Sequence, residues 1–197
     1  MIKHFFLFRH GETTYNINGF IQGQTNNSIL TPKGIDQAFQ VGLRLKKYPI
    51  ELLISSPLKR ALQTSQEVLK SFSSLPFLID ERVTEVNVGE IEGLHYQVVQ
   101  EKFKEKYTAW RSLDEKYLDL SFQGGESKRQ VRTRIFNALN NYAKNTPHSY
   151  IAIAGHGIMI TQILLSLNQA VEEVKNGSII HLSYKDEKWH FEGFITD

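Results

Sequence analysis

The sequence contains no cysteine, which excludes a disulfide framework, a thiolate nucleophile and any cysteine metal ligand. It has no run of about eighteen apolar residues, so a membrane-spanning helix is not expected. The first apolar run starts within a few residues of Met1, so a signal peptide is not expected. Charges nearly balance, at 23 Lys and Arg against 21 Asp and Glu. Because no block of Lys and Arg is present, no nucleic-acid partner is expected. Without cysteines, a membrane span or a signal peptide, a cytoplasmic location is expected.

The composition fits one ordinary globular domain. A chain of 197 residues can bury a sizeable core, and 41% hydrophobic with 22% charged residues is typical of such proteins. The seven histidines show no metal-binding spacing such as HExxH. We therefore predict a single domain over residues 1–197 with no metal and no other cofactor. The sequence carries no signal of an oligomeric state.

Residues 5–16, which read FFLFRHGETTYN, are the stretch around which the chain is organised. Four apolar residues in a row predict a buried strand, and Gly11 allows the chain to turn at its end. Arg9 and His10 would point to opposite faces of a continuing strand, so they converge on one ligand only if the strand ends there. Open α/β sheets place their ligand sites at such strand ends. The dipeptide alone is more typical of a surface loop.

Two further junctions between a strand and a helix carry groups that suit a phosphate. Residues 52–55 predict a short strand, after which Ser56 and a proline predict a helix with Arg60 at the end of its first turn. A cation there opposes the helix dipole unless an anion binds beside it. Residues 150–154 predict another strand, and His156 follows between two glycines. Each junction alone is more often structural, but the three together favour a phosphate site.

The motif FRHGETTYN resembles the signature of the histidine phosphatase superfamily, also called the phosphoglycerate mutase-like family. The resemblance implies that His10 is a nucleophile that becomes phosphorylated, and that Arg9 and Asn16 bind the phosphoryl group. Residues 56–61 match the family pattern Ser-Pro-Leu-x-Arg-Ala. By this resemblance Arg60 is the second phosphate-binding arginine.

The same resemblance assigns four more residues to the site. The family acid lies four residues before a glycine in a segment that ends in Glu-Gly, a pattern that Glu85 fits; it is implied to protonate the leaving alkoxide and later to deprotonate water. The Gly-His-Gly context adds His156. A Gln-Gly pair that contacts substrate in the family adds Gln22 and Gly23, although a solvated loop is the alternative there. Residues 24–31 lack the family's Asp and Pro, so the role of this loop in specificity is open.

The matching motifs cover nearly the whole chain. They imply a single-domain α/β fold, a three-layer α/β/α sandwich around a mostly parallel sheet. Aromatic residues recur at helical spacing between His95 and Leu120, which favours a helix packed on the core. Residues 94–123 are also a candidate cap over the pocket.

The function favoured by these features is a metal-independent, histidine acid-type phosphatase that hydrolyses phosphomonoesters of small phosphorylated metabolites. It would work through a phosphohistidine on His10, with Glu85 as general acid and base, and the arginines would supply the positive charge that phosphoryl transfer needs. A 2,3-bisphosphoglycerate-dependent phosphoglycerate mutase is the first alternative, but only Arg111 and scattered lysines could grip a carboxylate. A non-catalytic phosphate-binding regulatory protein is the second, and it would need neither nucleophile nor acid.

Overall fold

The computed structural model describes residues 2–171 and 173–196. In this part of the chain, the strands are β1 (Lys3–Arg9), β2 (Leu52–Ser55), β3 (Phe77–Ile79), β4 (Tyr150–Gly155), β5 (Ile179–Lys185) and β6 (Lys188–Ile195). The α-helices are α1 (Thr14–Ile17), α2 (Pro32–Leu45), α3 (Lys59–Leu69), α4 (Tyr96–Arg111), α5 (Lys128–Asn145) and α6 (Gly157–Ser166). None of these helices has the length and apolar character needed to cross a bilayer.

The strands form one mixed sheet in the order β3-β2-β4-β1-β5-β6. Strands β1, β2, β3 and β4 are parallel to one another. Strand β5 is antiparallel to β1, and β6 is antiparallel to β5. The four parallel strands therefore place their carboxyl ends at one edge. Arg9, Ser55 and Gly155 end three adjacent strands there, so the residues that follow them are brought together.

Helices cover both faces of the sheet because the residues of β1 alternate between two cores. Phe5 and Leu7 pack with the apolar faces of α5 and α6, and Phe6 and Phe8 pack with those of α2 and α3. All four side chains are fully buried, and each contributes about 1.5–3 kcal/mol relative to an exposed position. The expected three-layer α/β/α sandwich around a mostly parallel sheet is confirmed.

The predicted helix starts have different outcomes. Thr31 caps α2, its hydroxyl accepting from the Gly34 N–H at 3.0 Å, as predicted. The prediction that Ser56 caps α3 is wrong, because that helix begins at Lys59. Ser56 instead continues the sheet, its N–H bonding to the carbonyl oxygen of residue 154. Arg60 is consequently the second residue of α3 rather than the end of its first turn.

The aromatic segment folds largely as expected. Helix α4 packs Val99, Tyr107 and Trp110 into the larger core, and it is interrupted at Phe103, whose φ and ψ are −131° and 26°. The helix ends at Arg111, nine residues before the expected end, and the chain continues through a 3₁₀ turn. The closing hairpin of β5 and β6 is confirmed, with both turn residues at positive φ.

Two glycines fix the loop after β1 against α2. The backbone of Gly11 lies so close to Gly34 that an added Cβ would come within 2.1 Å of the Gly34 carbonyl oxygen. A Cβ on Gly34 would come within 2.0 Å of the carbonyl oxygen of Glu12. Gly11 is therefore required for close backbone approach, rather than for the conformational freedom that the sequence suggested. This contact holds His10 at the sheet edge.

Candidate active site

A cavity of about 320 Å³ opens at the carboxyl ends of the parallel strands. The sequence-predicted residues that line it are Arg9, His10, Gln22, Gly23, Arg60 and Glu85. His156 lies directly beside His10, with 5.3 Å between the ring centroids. Asn16 lies outside the lining. The structure thus brings together all but one of the predicted side chains.

His10 follows β1 and is only 2% exposed. Its Nδ1 lies 2.8 Å from the carbonyl oxygen of Gly11; since a carbonyl only accepts, Nδ1 carries the proton and Nε2 carries the lone pair. The Nε of Arg60 donates to that Nε2 at 3.2 Å. Burial, followed by the charges of Arg60 and Arg9, holds the pKa of His10 well below 6.5. The imidazole is therefore neutral, with a nucleophilic nitrogen at the cavity.

Arg60 is the most deeply buried cation of the site, at 1% exposure. Its Nη2 donates to the carbonyl oxygen of Gly23 at 2.6 Å, and its Nη1 donates to that of Thr25 at 3.0 Å. Burial lowers its pKa to about 10, and the charge of Arg9 adds to this lowering while that of Glu85 opposes it. Arg60 stays protonated near neutral pH. Thr25, in the altered loop of residues 24–31, thus helps Gly23 to orient this guanidinium.

Arg9, the last residue of β1, also lines the cavity. Its Nη1 donates to the carbonyl oxygen of Val174 at 2.6 Å and lies 3.7 Å from Oε1 of Glu173. Its Nε is buried and has no hydrogen-bond partner within the described part of the chain, and the same is true of Nδ1 of His156. Buried polar atoms are normally satisfied. A tetrahedral oxyanion in the cavity would supply acceptors for a group such as the Nε of Arg9.

His156 is the N-cap residue of α6 and is fully buried. Its Nε2 is hydrogen-bonded to the hydroxyl of Ser56 at 2.8 Å, and that hydroxyl also accepts from the Leu58 N–H at 3.3 Å. Burial is the largest cause that holds the pKa of His156 well below 6.5, followed by the charge of Arg60 and then by His10 and Arg9. His156 is therefore a neutral group that backs the His10 ring.

Glu85 places its carboxylate at the amino end of α6. Oε2 accepts from the Ile158 N–H at 3.0 Å, and Oε1 accepts from the Met159 and Val86 N–H groups at 3.1 and 3.0 Å. The side chain is largely buried. A helix amino terminus is a favourable position for a negative charge. The amino end of α6 therefore holds the Glu85 carboxylate, whereas Ser56 holds the imidazole of His156.

An ion pair that the sequence patterns did not predict stabilises the loop that carries Glu85. Arg134 donates to the backbone carbonyl oxygens of Arg82, Thr84 and Glu85 and pairs with Glu126 at 2.9 Å. The carboxylate of Glu126 also accepts from the N–H of residue 87. The turn of residues 124–127, which reads Gly-Gly-Glu-Ser, thus positions the candidate acid. Glu126 precedes α5, which begins at Lys128, so helical spacing could not have predicted its pairing with Arg134.

Asn16 acts in the structure as a capping residue. Its Oδ1 accepts from the N–H of Thr13 at 3.0 Å and closes a capping box at the start of α1. The hydroxyl of Thr13 also reaches Oε1 of Gln22 at 3.1 Å. Asn176, which sequence reasoning did not assign, donates to the carbonyl oxygen of His10 at 2.9 Å. A phosphoryl contact from Asn16 stays a prediction.

Comparison with known proteins identifies the class. The chain belongs to the histidine phosphatase superfamily (branch 1), whose family model matches residues 5–196. It is 34% identical to a metal-independent phosphoserine phosphatase of Arabidopsis thaliana, over 93% of this chain and 77% of that protein. It is 31% identical to the probable phosphoglycerate mutase GpmB of Escherichia coli, over 98% of this chain and 90% of that protein.

Solved structures share the fold. A mycobacterial glucosyl-3-phosphoglycerate phosphatase superposes with a TM-score of 0.87 at 23% identity, covering 99% of this chain and 100% of the other. An Escherichia coli structure described as a putative α-ribazole-5′-phosphate phosphatase gives 0.82 at 23% identity, with coverage of 98% and 96%. At these identities the likeness concerns the fold.

The buried cations lead to a prediction about titration. The imidazole of His10 should stay neutral as the pH falls through 6.5, because its pKa lies well below that value. The unfolded chain would take up protons first, so the free energy of unfolding should decrease as the pH falls below 6.5. Nitrogen-15 NMR of the imidazole would follow the first effect. Arg60→Gln should move the His10 midpoint upward; an unchanged midpoint would contradict the assigned cause.

Proposed function

We propose that the protein is a phosphomonoester hydrolase that transfers the phosphoryl group of small phosphorylated metabolites to His10 and then to water. The observation that carries this proposal is the neutral imidazole, its Nε2 lone pair held at a cavity beside two guanidinium groups. Mere binding of phosphate would need only the arginines. The cavity volume of about 320 Å³ suits a small ligand.

The first chemical step forms a bond between Nε2 of His10 and phosphorus, and breaks the bond between phosphorus and the ester oxygen. Glu85, when protonated, gives its proton to the leaving oxygen, so the product departs as an alcohol. Arg9 and Arg60 balance the charge of the equatorial oxygens. When the Nε2 lone pair bonds to phosphorus, it no longer accepts from Arg60. The Nε of Arg60 then donates to a phosphoryl oxygen instead.

In the second step, water attacks phosphorus and the bond to Nε2 breaks. Glu85, now a carboxylate, takes the proton of that water, and inorganic phosphate leaves with the enzyme restored. His156 remains a neutral neighbour that supports the His10 ring. Since each proton that Glu85 gives in one step returns in the other, the cycle balances without a further acid or base.

Two arginines in place of a metal ion support a metal-independent reaction of histidine acid type. The name of the Arabidopsis thaliana relative, a metal-independent phosphoserine phosphatase, agrees with this part of the proposal. Residues 94–123 contribute Tyr107 and Trp110 to the cavity wall, which supports their proposed role as a cap. The cytoplasmic location, expected from the cysteine-free sequence, belongs to the same proposal.

A mutase is the second candidate, and one observation favours it. Arg111 and Lys128 both line the cavity, so the structure offers more positive charge for an acceptor than sequence reasoning counted. The hydrolase is preferred because Arg111, Leu113 and Glu173, which also line the cavity, are exposed. Solvent therefore reaches the cavity, whereas a mutase must keep water from its phosphohistidine.

The nucleophile can be tested by trapping the intermediate. His10→Ala should abolish both turnover and the acid-labile phosphoprotein that forms when wild-type enzyme is quenched during reaction with p-nitrophenyl phosphate. The matched control is His148→Ala, which removes a histidine outside the cavity lining. Substantial phosphatase activity in the folded His10 variant would show that the covalent mechanism is wrong.

The acid role of Glu85 depends on the leaving group. Glu85→Gln should slow hydrolysis of an alkyl phosphate by roughly a hundredfold or more, the usual worth of a general acid. Phosphoenzyme formation from p-nitrophenyl phosphate should suffer less, because nitrophenolate leaves without a proton. Rapid-quench kinetics would measure both rates, with Glu81→Gln as the control. Equal losses for the two substrates would remove Glu85 from the acid role.

The two candidate reactions give different phosphorus NMR spectra. With 3-phosphoglycerate as substrate and 2,3-bisphosphoglycerate as primer, we expect inorganic phosphate to accumulate and negligible 2-phosphoglycerate to form. The reason is the access of water to the phosphohistidine. Isomer exchange that runs much faster than phosphate release would instead establish the mutase.

A further inference from the structure

The hydroxyl of Ser56 has no part in the proposed chemistry, although it contacts a residue of the site. Ser56 follows β2 and His156 follows β4, and both residues are fully buried. The Oγ of Ser56 lies 2.8 Å from Nε2 of His156 and accepts from the Leu58 N–H at 3.3 Å. Within residues 2–171 and 173–196 this hydroxyl makes no other hydrogen bond. The partners of Ser56 therefore bear on which nitrogen of His156 carries the proton.

The contact between Ser56 and His156 can be formed in two ways. Because burial, followed by the charge of Arg60, holds the pKa of His156 well below 6.5, the imidazole is neutral and carries a single N–H. In one arrangement Nε2–H donates to the Oγ of Ser56, and Nδ1 has the lone pair. In the other, the hydroxyl of Ser56 donates to Nε2, and the proton of the imidazole is on Nδ1.

The number of unsatisfied buried groups decides between these arrangements. A serine hydroxyl has one proton and two lone pairs. If Nε2–H donated to Ser56, the hydroxyl proton would have no acceptor in the described part of the chain, and the lone pair on Nδ1 would have no donor there. If Ser56 donates to Nε2, only the N–H at Nδ1 of His156 is left without a partner among the described residues. Because an unpaired buried polar group is costly, the second arrangement is favoured.

The remaining N–H of His156 has a counterpart in Arg9. Nδ1 of His156 and Nε of Arg9 are both buried and have no hydrogen-bond partner among the residues that the structure describes. The two residues are close in the fold, because a Cβ added to Gly157, the residue after His156, would lie 3.3 Å from Nε of Arg9. With the proton on Nδ1 both groups are donors, so an oxyanion beside Nε2 of His10 could supply an acceptor to each. A lone pair on Nδ1 would instead repel that oxyanion.

We propose that Ser56 is a positioning residue that holds His156 in the Nδ1–H tautomer, so that this N–H donates to an oxygen of the phosphoryl group. The contact with the phosphoryl group rests on the proposed hydrolase activity, whereas the tautomer is a property of the ligand-free protein. No proton moves, since His156 keeps its N–H through both steps and acts as a fixed donor to the charged oxygens. His10 also carries its proton on Nδ1, but there the carbonyl oxygen of Gly11 accepts it. Ser56 and Gly11 thus give the two imidazoles different functions, one as a donor and the other as a nucleophile.

Nitrogen-15 NMR of the ligand-free enzyme tests the tautomer, with the His156 signals identified by their absence from His156→Asn protein. Wild-type enzyme should show a protonated Nδ1 and an unprotonated Nε2. Ser56→Ala should give a population with the proton on Nε2, whereas Ser56→Thr keeps the hydroxyl and should keep the wild-type spectrum. The matched control is Ser65→Ala, which removes a buried hydroxyl that bonds to Ser55 at 3.0 Å and should leave the tautomer unchanged. A wild-type proton on Nε2, or a His156 spectrum that Ser56→Ala does not change, would overturn the proposal.

Steady-state kinetics tests whether the N–H of His156 acts on the phosphoryl group. Removing one preorganised oxyanion donor costs about 10²–10³ in kcat, and a partial change of tautomer should cost less, so Ser56→Ala should lower kcat for p-nitrophenyl phosphate by roughly ten- to a hundredfold. KM should stay within about threefold, while vanadate, which resembles five-coordinate phosphorus, should bind more weakly by the factor lost from kcat. Ser56→Thr should restore both quantities, and Ser65→Ala should leave both unchanged.

A purely structural role of Ser56 predicts a different result. Thermal unfolding of the Ser56→Ala and Ser65→Ala proteins would then show similar losses of stability, with kcat and vanadate affinity unchanged in both, and that outcome would overturn the proposal. If Ser56→Ala does not fold, Ser56→Cys keeps a side chain of similar size with a weaker donor. It should show the same changes in tautomer, kcat and vanadate affinity to a smaller extent.

The role of Ser56 and the hydrolase activity can fail independently, because the tautomer is measured without substrate. If the wild-type proton is on Nδ1 and Ser56→Ala displaces it, but the wild-type enzyme releases no phosphate from any substrate, the hydrolase proposal fails and the control of the tautomer by Ser56 stands. If phosphate is released by an enzyme whose His156 carries its proton on Nε2, the role of Ser56 is overturned and the hydrolase stands.

Discussion

The site depends on keeping two largely buried guanidinium groups charged beside two neutral imidazoles. Arg60 is 1% exposed and the side chain of Arg9 is 14% exposed, and burying such cations without partners costs several kcal/mol each. Backbone carbonyl oxygens and the charge of Glu85 offset part of this cost. The same cations keep His10 and His156 neutral. A phosphoryl group would bring the negative charge that the protein itself supplies only in part.

The rest of the fold holds these groups at one edge of the sheet. Strands β1 and β4 lie side by side, so the residues that follow Arg9 and Gly155 are neighbours although far apart in the chain. Helix α6 then presents its amino terminus to Glu85, and Arg134 ties the loop of that glutamate to α5. Gly11 allows the loop after β1 to pack closely against α2. The strands and helices around these catalytic candidates pack into the two cores.

Local patterns predicted the buried strand β1 and a ligand site at its carboxyl end; the strand is present, and a cavity opens at that end. The three-layer fold and the placement of Glu85 and Gln22 were implied by the resemblance to the family. Long-range contacts were not predictable in this way. The hydroxyl of Ser56 bonds to a histidine one hundred residues away, so its helix-capping signal was misleading. Lys128 resembles any lysine in a surface helix, and its burial against α4 is visible only after folding.

The most direct test is to determine which nitrogen of His10 carries the phosphoryl group in the phosphoenzyme. The phosphoenzyme can be made with ¹⁵N-labelled histidine, trapped and denatured in base, and examined by ³¹P–¹⁵N correlation NMR. The hydrogen bond from Nδ1 to the carbonyl oxygen of Gly11 leaves only Nε2 free to attack, so phosphate on Nε2 is predicted. Phosphate on Nδ1, or on a residue other than His10, would contradict the account.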